Sequence, residues 1–291
     1  VYKRQIYGLV GLKTHSKIAL VVRREEDGIK RYVHLGTGNY NDQTAKLYTD
    51  MGLLTCSDPI GEDATAVFNM LSGYSEPGKW NKLAVAPIWL KDKFLMLINR
   101  EAENARQGKK ARIIAKMNSL CDPKVMEALY DASAAGVKID LIVRGICCIK
   151  AGVPGLSENI SVRSIVGNFL EHSRIFYFFN DGFEDIYMGS ADWMPRNLDK
   201  RVEITFPVED PDLKKRIKDI LKIQLADTLK AHIMQPDGSY EKQDLRGKVK
   251  LDSQMYFAEE ARKRSAKPED ADAAISHDRV FIPIEAEESE H

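Results

Sequence analysis

One structural unit occurs twice in this chain, and a duplicated unit restricts the fold more than any compositional figure. Residues 12–22 read LKTHSKIALVV and residues 169–179 read FLEHSRIFYFF. In each, a histidine (His15, His172) is followed two places on by a cation (Lys17, Arg174), at the head of an apolar run. Side chains alternate along a strand, so each histidine is expected to share a face with its cation. Both copies then reach an Asp-Gly pair, Asp27-Gly28 and Asp181-Gly182, the dipeptide of a tight hairpin. Both return through a strand holding a tyrosine, Tyr32 or Tyr187, and end in a turn of small residues with a polar fourth place. These turns are GTGN (Gly36 to Asn39) and GSAD (Gly189 to Asp192). The chain should thus hold two related halves that bring one histidine each to a shared cleft.

The sequence between the copies predicts alternating helices and strands. Residues 91–107 place Phe94, Leu95, Leu97, Ile98, Ala102 and Ala105 at helical spacing. ARIIAKM reads as a strand. DPKVMEALYDASAAG reads as a helix with Asp122 as cap, Pro123 in its first turn and Gly136 as stop. VKIDLIVRG is the next strand, and Arg144 stands at its end. Such alternation implies an α/β fold with a parallel sheet and crossover helices. RVEITFPV reads as a strand, and residues 210–229 and 250–264 as helices. Before His15 there is almost nothing, so the first half should supply only its last strands, its hairpin and a helix near residues 62–72. An unpaired sheet edge near residues 6–22 follows.

Lys plus Arg equals Asp plus Glu at 43 each, so net charge predicts no polyanionic partner and any basic site must be local. No apolar run approaches the ~20 residues of a membrane span. Cys56, Cys121, Cys147 and Cys148 have no metal-binding spacing and read as reduced thiols of a cytoplasmic protein.

Two facing imidazoles suit phosphoryl chemistry. One free ring nitrogen can attack phosphorus while the other ring serves as acid or base at the leaving oxygen. Lys17 and Arg174 can neutralise phosphoryl oxygens, and polar groups of the GTGN and GSAD turns can hold a tautomer. The unit H-x-K, spacer, G-[ST]-x-N resembles the phospholipase D superfamily. The superfamily's aspartate beyond the lysine is absent, with Val21, Val22 and Arg23 standing there; Arg174 replaces lysine and Asp192 replaces asparagine. With these departures, LKTHSK, RYVHLGTGNYN, KLYTDMGLLT, LIVRGICC, FLEH-R and GSADWMPRNLDKRVE resemble polyphosphate kinase of the long, histidine-phosphorylating type, from about residue 6 to about residue 235.

That resemblance implies a C-terminal fragment with two phospholipase D-like α/β halves, the first truncated at its N-terminus. Residues 1–5, VYKRQ, read as translated sequencing-adapter sequence and are set aside. Residues 6–82 are the C-terminal part of the first catalytic half, 83–235 the second, and 236–291 an extension whose last ~25 residues are acidic, aperiodic and expected to be flexible, though RVFIPI could form an edge strand. The resemblance further implies that His15 takes the ATP terminal phosphate and passes it reversibly to polyphosphate with release of ADP. His172 is then the second active-site histidine; Tyr48, Arg144 and His172 contact nucleotide, and Arg201 lies near phosphate. Lys17, Arg174 and Asn39 are the remaining phosphate-site candidates. Mg²⁺ is implied as a cofactor, its linked residues lying upstream, with no metal site within this chain. The implied partners are ATP, ADP and inorganic polyphosphate, not nucleic acid. A homo-oligomeric full-length enzyme, cytoplasmic and able to associate with membranes, is also implied, and the fragment alone is expected to be inactive.

A phosphodiesterase of phospholipase D type and a non-catalytic scaffold are the competing readings. Tyr48 suits base stacking or a core position equally. His34 suits a supporting rather than a catalytic role. Trp193 suits packing beneath the site, while Arg196 and Arg201 suit either a channel for an anionic polymer or a solvated basic face. Asn39 is a better site candidate than Asn41. His232, His277 and His291 have no partner pattern.

Overall fold

The computed structural model describes residues 5–73 and 75–265. The first segment runs β1 (Lys13–Thr14), β2 (Ile18–Glu25), β3 (Gly28–Gly36), α1 (Asp42–Ala45), β4 (Tyr48–Thr49), β5 (Gly52–Thr55) and α2 (Asp58–Leu71). The second begins with β6 (Ala84–Val85), α3 (Leu90–Arg106), β7 (Arg112–Met117), α4 (Pro123–Ala134), β8 (Lys138–Val143) and β9 (Ile160–Ile165). It continues with β10 (Leu170–Glu171), β11 (Arg174–Phe178), β12 (Asp185–Gly189), α5 (Pro195–Asp199), β13 (Arg201–Val202) and β14 (Ile204–Pro207). α6 (Pro211–Leu225), β15 (Ala231–Met234), β16 (Tyr240–Lys242) and α7 (Ser253–Ser265) follow.

A nine-stranded sheet in the order β16-β15-β9-β8-β7-β11-β12-β14-β6 forms the middle layer. β7, β8 and β9 are parallel, joined through α4 and a long loop, and the other pairings are antiparallel. The alternation of β11 shows how the sheet divides two cores. Phe176 and Phe178 point toward α3 and α4, while Ile175 and Tyr177 point toward α2, β3 and α6. On the first face, Trp193 is wholly buried and packs on Phe176 at 5.1 Å and Phe94 at 5.4 Å between ring centroids. α4 begins as expected: Asp122 accepts from the Val125 N–H, and Gly136 stops the chain at φ 95°. Asp210 caps α6 in the same way.

The α/β class holds. The first segment, however, has no parallel sheet of its own among the described residues. Its β2-β3-β5 sheet is antiparallel, and Val33, Leu35, Ile60, Ala64 and Val67 join the second core of the large sheet. β2 lies at an edge, as expected, but Lys13–Thr14 of the same stretch are paired in parallel with β13 rather than left open. The apolar run that follows Lys17 is not buried as a block: Val21 and Val22 are more than half exposed.

Both turn expectations need correction. The first hairpin closes through Glu26 and Asp27, with Gly28 (φ 124°) already paired to Glu25 as the first residue of β3. The second is a six-residue connection, residues 179–184, containing a 3₁₀ turn over Asn180–Gly182. RVEITFPV is split at Glu203 into β13 and β14, because β13 pairs with β1 rather than with the large sheet. The RVFIPI stretch, the acidic end, His277 and His291 lie outside the described residues. Among the described residues no helix is long and apolar enough to cross a membrane, and all four cysteines are free thiols.

Candidate active site

Neither histidine lies in the strand that follows it. His15 sits in a gap between β1 and β2, and His172 in a gap between β10 and β11. Each gap is where the chain changes partners. β1 pairs in parallel with β13, beyond the second turn, and β10 pairs in parallel with β4, beyond the first. The backbone N–H groups of His15 and Ser16 donate to Val202, and those of His172 and Ser173 to Thr49. Each half therefore seats its histidine against the other half.

The crossing gives each imidazole a carboxylate from the opposite half. His15 Nδ1 lies 2.9 Å from Glu203 Oε2, and His172 Nδ1 lies 2.9 Å from both oxygens of Asp50. Each acid is in turn held by the hydroxyl at the second place of its own turn. Thr37 Oγ1 donates to Asp50 at 2.8 Å, and Ser190 Oγ donates to Glu203. Each of these oxygens also accepts a backbone N–H, from Met51 and from Ile204. Two lines of hydroxyl, carboxylate and imidazole are thus related by the internal repeat. In both, the acid follows the hydroxyl by thirteen residues and the fourth turn residue by eleven. That shared spacing was a readable signal for Asp50 and Glu203, which motif reading missed. Gly38 leaves room for the arrangement, since a Cβ there would stand 2.3 Å from Asp50 Oδ2.

Lys17 and Arg174 do not play equivalent parts. Lys17 is buried, and its ammonium donates to the His15 carbonyl. Burial pushes its pKa down to about 8; Glu203 and Asp50 oppose that fall, while Arg174 and Arg201 add to it. Its surroundings therefore join both halves in one charged cluster. Arg174 is only 3% exposed and is committed to protein partners. Its Nε and Nη2 reach the two oxygens of Asp192 at 3.2 Å, and its Nη1 donates to the His172 carbonyl at 2.8 Å and lies 3.1 Å from His172 Nε2. Burial alone would raise the Asp192 pKa. The Arg174 charge and hydrogen bonds, with two donors from Asn118, hold it below the ordinary range instead. Arg174 and Asp192, which stand where the first copy has Lys17 and Asn39, are thus one ion pair.

Burial lowers the His172 pKa, opposed by Asp50. The Tyr48 ring packs on His172 at 4.8 Å between centroids, which makes Tyr48 a neighbour of the site rather than of the core. Arg144 follows β8; its Nε and Nη2 grip Asn118 Oδ1 at 2.9 and 2.7 Å, and its Nε also donates to the Glu171 carbonyl. Arg201 lies on β13 with Nη1 3.8 Å from Glu203 Oε1. Asn39 is exposed and lines a cavity of about 300 Å³ with His34, Tyr48 and Asp50. His34 is held by the Tyr40 hydroxyl at 2.7 Å, and Asn41 caps α1. Arg196 is exposed on α5, and no hydrogen bond or ion pair of the described residues ties it to the cluster. A larger cavity, about 1040 Å³, opens beside Tyr48 and Asp50 between α6 and α7.

Residues 83–254 match the family model of polyphosphate kinase C-terminal domain 2, and residues 4–77 that of C-terminal domain 1. The chain belongs to the polyphosphate kinase family. A polyphosphate kinase of Synechocystis is 58% identical over 235 residues, covering 81% of this chain and 32% of the relative. One from Lactiplantibacillus plantarum is 51% identical over 286 residues, covering 98% of this chain and 40% of the relative. The crystal structure of polyphosphate kinase from Porphyromonas gingivalis superposes with a TM-score of 0.82 at 38% identity, over 88% of this chain and 40% of that one. The chain spans about a third to two fifths of these polyphosphate kinases, and the two histidine units fall one in each family-model match.

Proposed function

We propose that this chain carries the phosphoryl-transfer centre of a polyphosphate kinase, and that His15 is its covalent intermediate. The observation that supports this most is the crossed pair of carboxylate–imidazole contacts. Glu203 accepts from Nδ1–H of His15, which leaves the Nε2 lone pair free. Nε2 attacks the terminal phosphorus of ATP; the bond to the bridging oxygen breaks, and its electron pair leaves with ADP. Glu203 offsets the positive charge that develops on the ring. A terminal oxygen of polyphosphate then attacks the same phosphorus, the P–N bond breaks, and the imidazole is restored. His172, kept by Asp50, serves the proton and charge balance at the transferring oxygens. Lys17, Arg144 and Arg201 neutralise charge on the phosphoryl groups, and Tyr48 packs against the nucleoside. Phosphoryl transfer asks a protein mainly for such positioning and neutralisation.

Magnesium, which the family resemblance implies, would screen phosphate charge when bound. Among the described residues no cluster of three or more His, Cys, Asp or Glu side chains is placed to hold it, so no step here runs through it.

The test is the reverse reaction: ADP and polyphosphate, with ATP read by luminescence, for this chain and for one extended upstream to the length of its relatives. ATP formation supports the reading. Hydrolysis of a phosphate diester with no ATP from either chain would favour the phosphodiesterase instead. A pH dependence follows from Lys17. Its charge is lost as pH rises through about 8, whereas an ordinary lysine keeps it to about 10. The KM for polyphosphate is expected to rise about tenfold between pH 7 and 9, and Lys17→Arg should flatten that rise.

A further inference from the structure

We propose that Glu171, clamped by Lys116 and by Gln254 at the head of α7, is the positioning residue of the His172–Asp50 pair, so that α7 forms part of the frame of the site. The inference rests on His172 being an active-site group, as read above.

Glu171 stands directly before His172, and its register partner Thr49 stands directly before Asp50. A hydrogen bond of 3.2 Å from Thr49 Oγ1 to Glu171 Oε2 therefore ties together the residues preceding the two members of the pair. The same oxygen accepts from Gln224 at 2.9 Å and lies 3.1 Å from Lys116 Nζ. Lys116 also donates to Oγ and the carbonyl of Ser173, at 2.7 and 3.1 Å. One wholly buried ammonium thus grips the residues on both sides of His172. Lys116 is 1% exposed and Glu171 5%, so the clamp is shut inside the fold and works through His172 rather than on a phosphate directly.

The fourth bond to the carboxylate comes from α7. Gln254 Nε2 donates to Glu171 Oε1 and to the Phe169 carbonyl, both at 2.8 Å, while its Oε1 accepts from Phe169 N–H at 2.9 Å. The helix start is fixed in place by the Ser253 amide and hydroxyl donating to buried Asp227. Gly167 makes room for this amide, since a Cβ there would stand 2.3 Å from Gln254 Oε1. A buried ion pair is a weak source of net stability compared with apolar packing. Four convergent donors on one carboxylate do, however, fix orientation.

The readout is the tautomer of His172, followed in ¹⁵N-labelled protein by long-range ¹H–¹⁵N correlation of the imidazoles. Asp50 at Nδ1 and the Arg174 donor at Nε2 set a single Nδ1–H form. Thr49→Val removes one bond to Glu171, and Gln254→Met removes one together with the two to Phe169; both leave the Asp50 and Arg174 contacts of the His172 ring in place. Each is expected to give a mixture of Nδ1–H and Nε2–H forms at His172, with His34 and His232 unmoved. Thr49→Ser, which keeps the hydroxyl, should restore the single form. An unchanged His172 spectrum in the folded variants overturns the proposal. Should Gln254→Met fail to fold, the near-isosteric Thr49→Val decides alone. The spectrum reports geometry whatever reaction occurs, whereas loss of the active-site reading would appear separately, as phosphoryl transfer surviving in His172→Ala.

Discussion

His15→Ala in a chain extended to the length of its relatives is expected to abolish covalent labelling from γ-labelled ATP. The wild-type chain should give an acid-labile, base-stable adduct on the peptide Leu12–Val22. No other ring in the cluster offers the same opening. His172 Nε2 faces the Arg174 guanidinium at 3.1 Å, whereas among the described residues the His15 ring is engaged through Nδ1 alone. Loss of a nucleophile of this kind lowers turnover by roughly 10⁴-fold or more. Glu203→Gln should fall between the two, because it keeps an acceptor for Nδ1–H but not the negative charge. Label found on His172, or surviving in His15→Ala, would reverse the assignment of the two histidines.

The second large effect is on stability. Arg174→Ala leaves the Asp192 carboxylate, 6% exposed, without its guanidinium. Removing one partner of a buried pair costs about 3–5 kcal/mol. For a chain of this size that lowers Tm on the order of 10 °C. Asp192→Asn alone should cost less, since the amide oxygen still accepts from Asn118. The double change Arg174→Lys with Asp192→Asn recreates the combination found in the first copy, Lys17 with Asn39, and should recover much of the loss made by Arg174→Lys alone. Strict additivity of the two single changes in thermal unfolding would show that the pair does not act as a unit.

The long elements were legible in the sequence because their signals are local. α3, α4 and α6 carry helical periodicity over three or more turns, and Asp122-Pro123 and Asp210-Pro211 mark two starts. The two histidine units were legible because they repeat. The four strands that build the site were not. β1, β4, β10 and β13 are two residues each and have no period to detect. Their pairings cross from one half to the other, so Asp50 and Glu203 acquire their roles only from tertiary register. Arg174 looked like a free phosphate ligand because its claim by Asp192, eighteen residues later, is a property of the folded hairpin. Lys116 gave no signal either: in ARIIAKM it read as one polar residue of a strand, and only the buried Glu171 explains it.

The crossed seating of the histidines also sets when a site can exist during synthesis. His15 meets its carboxylate across 188 residues of chain, and His172 meets its own across 122. Contacts of such separation close late, after the local helices and hairpins have formed. On the ribosome His15 emerges 188 residues before Glu203, whereas Asp50 is already out when His172 appears. A nascent chain therefore passes through a long interval in which His15 is translated but not yet oriented.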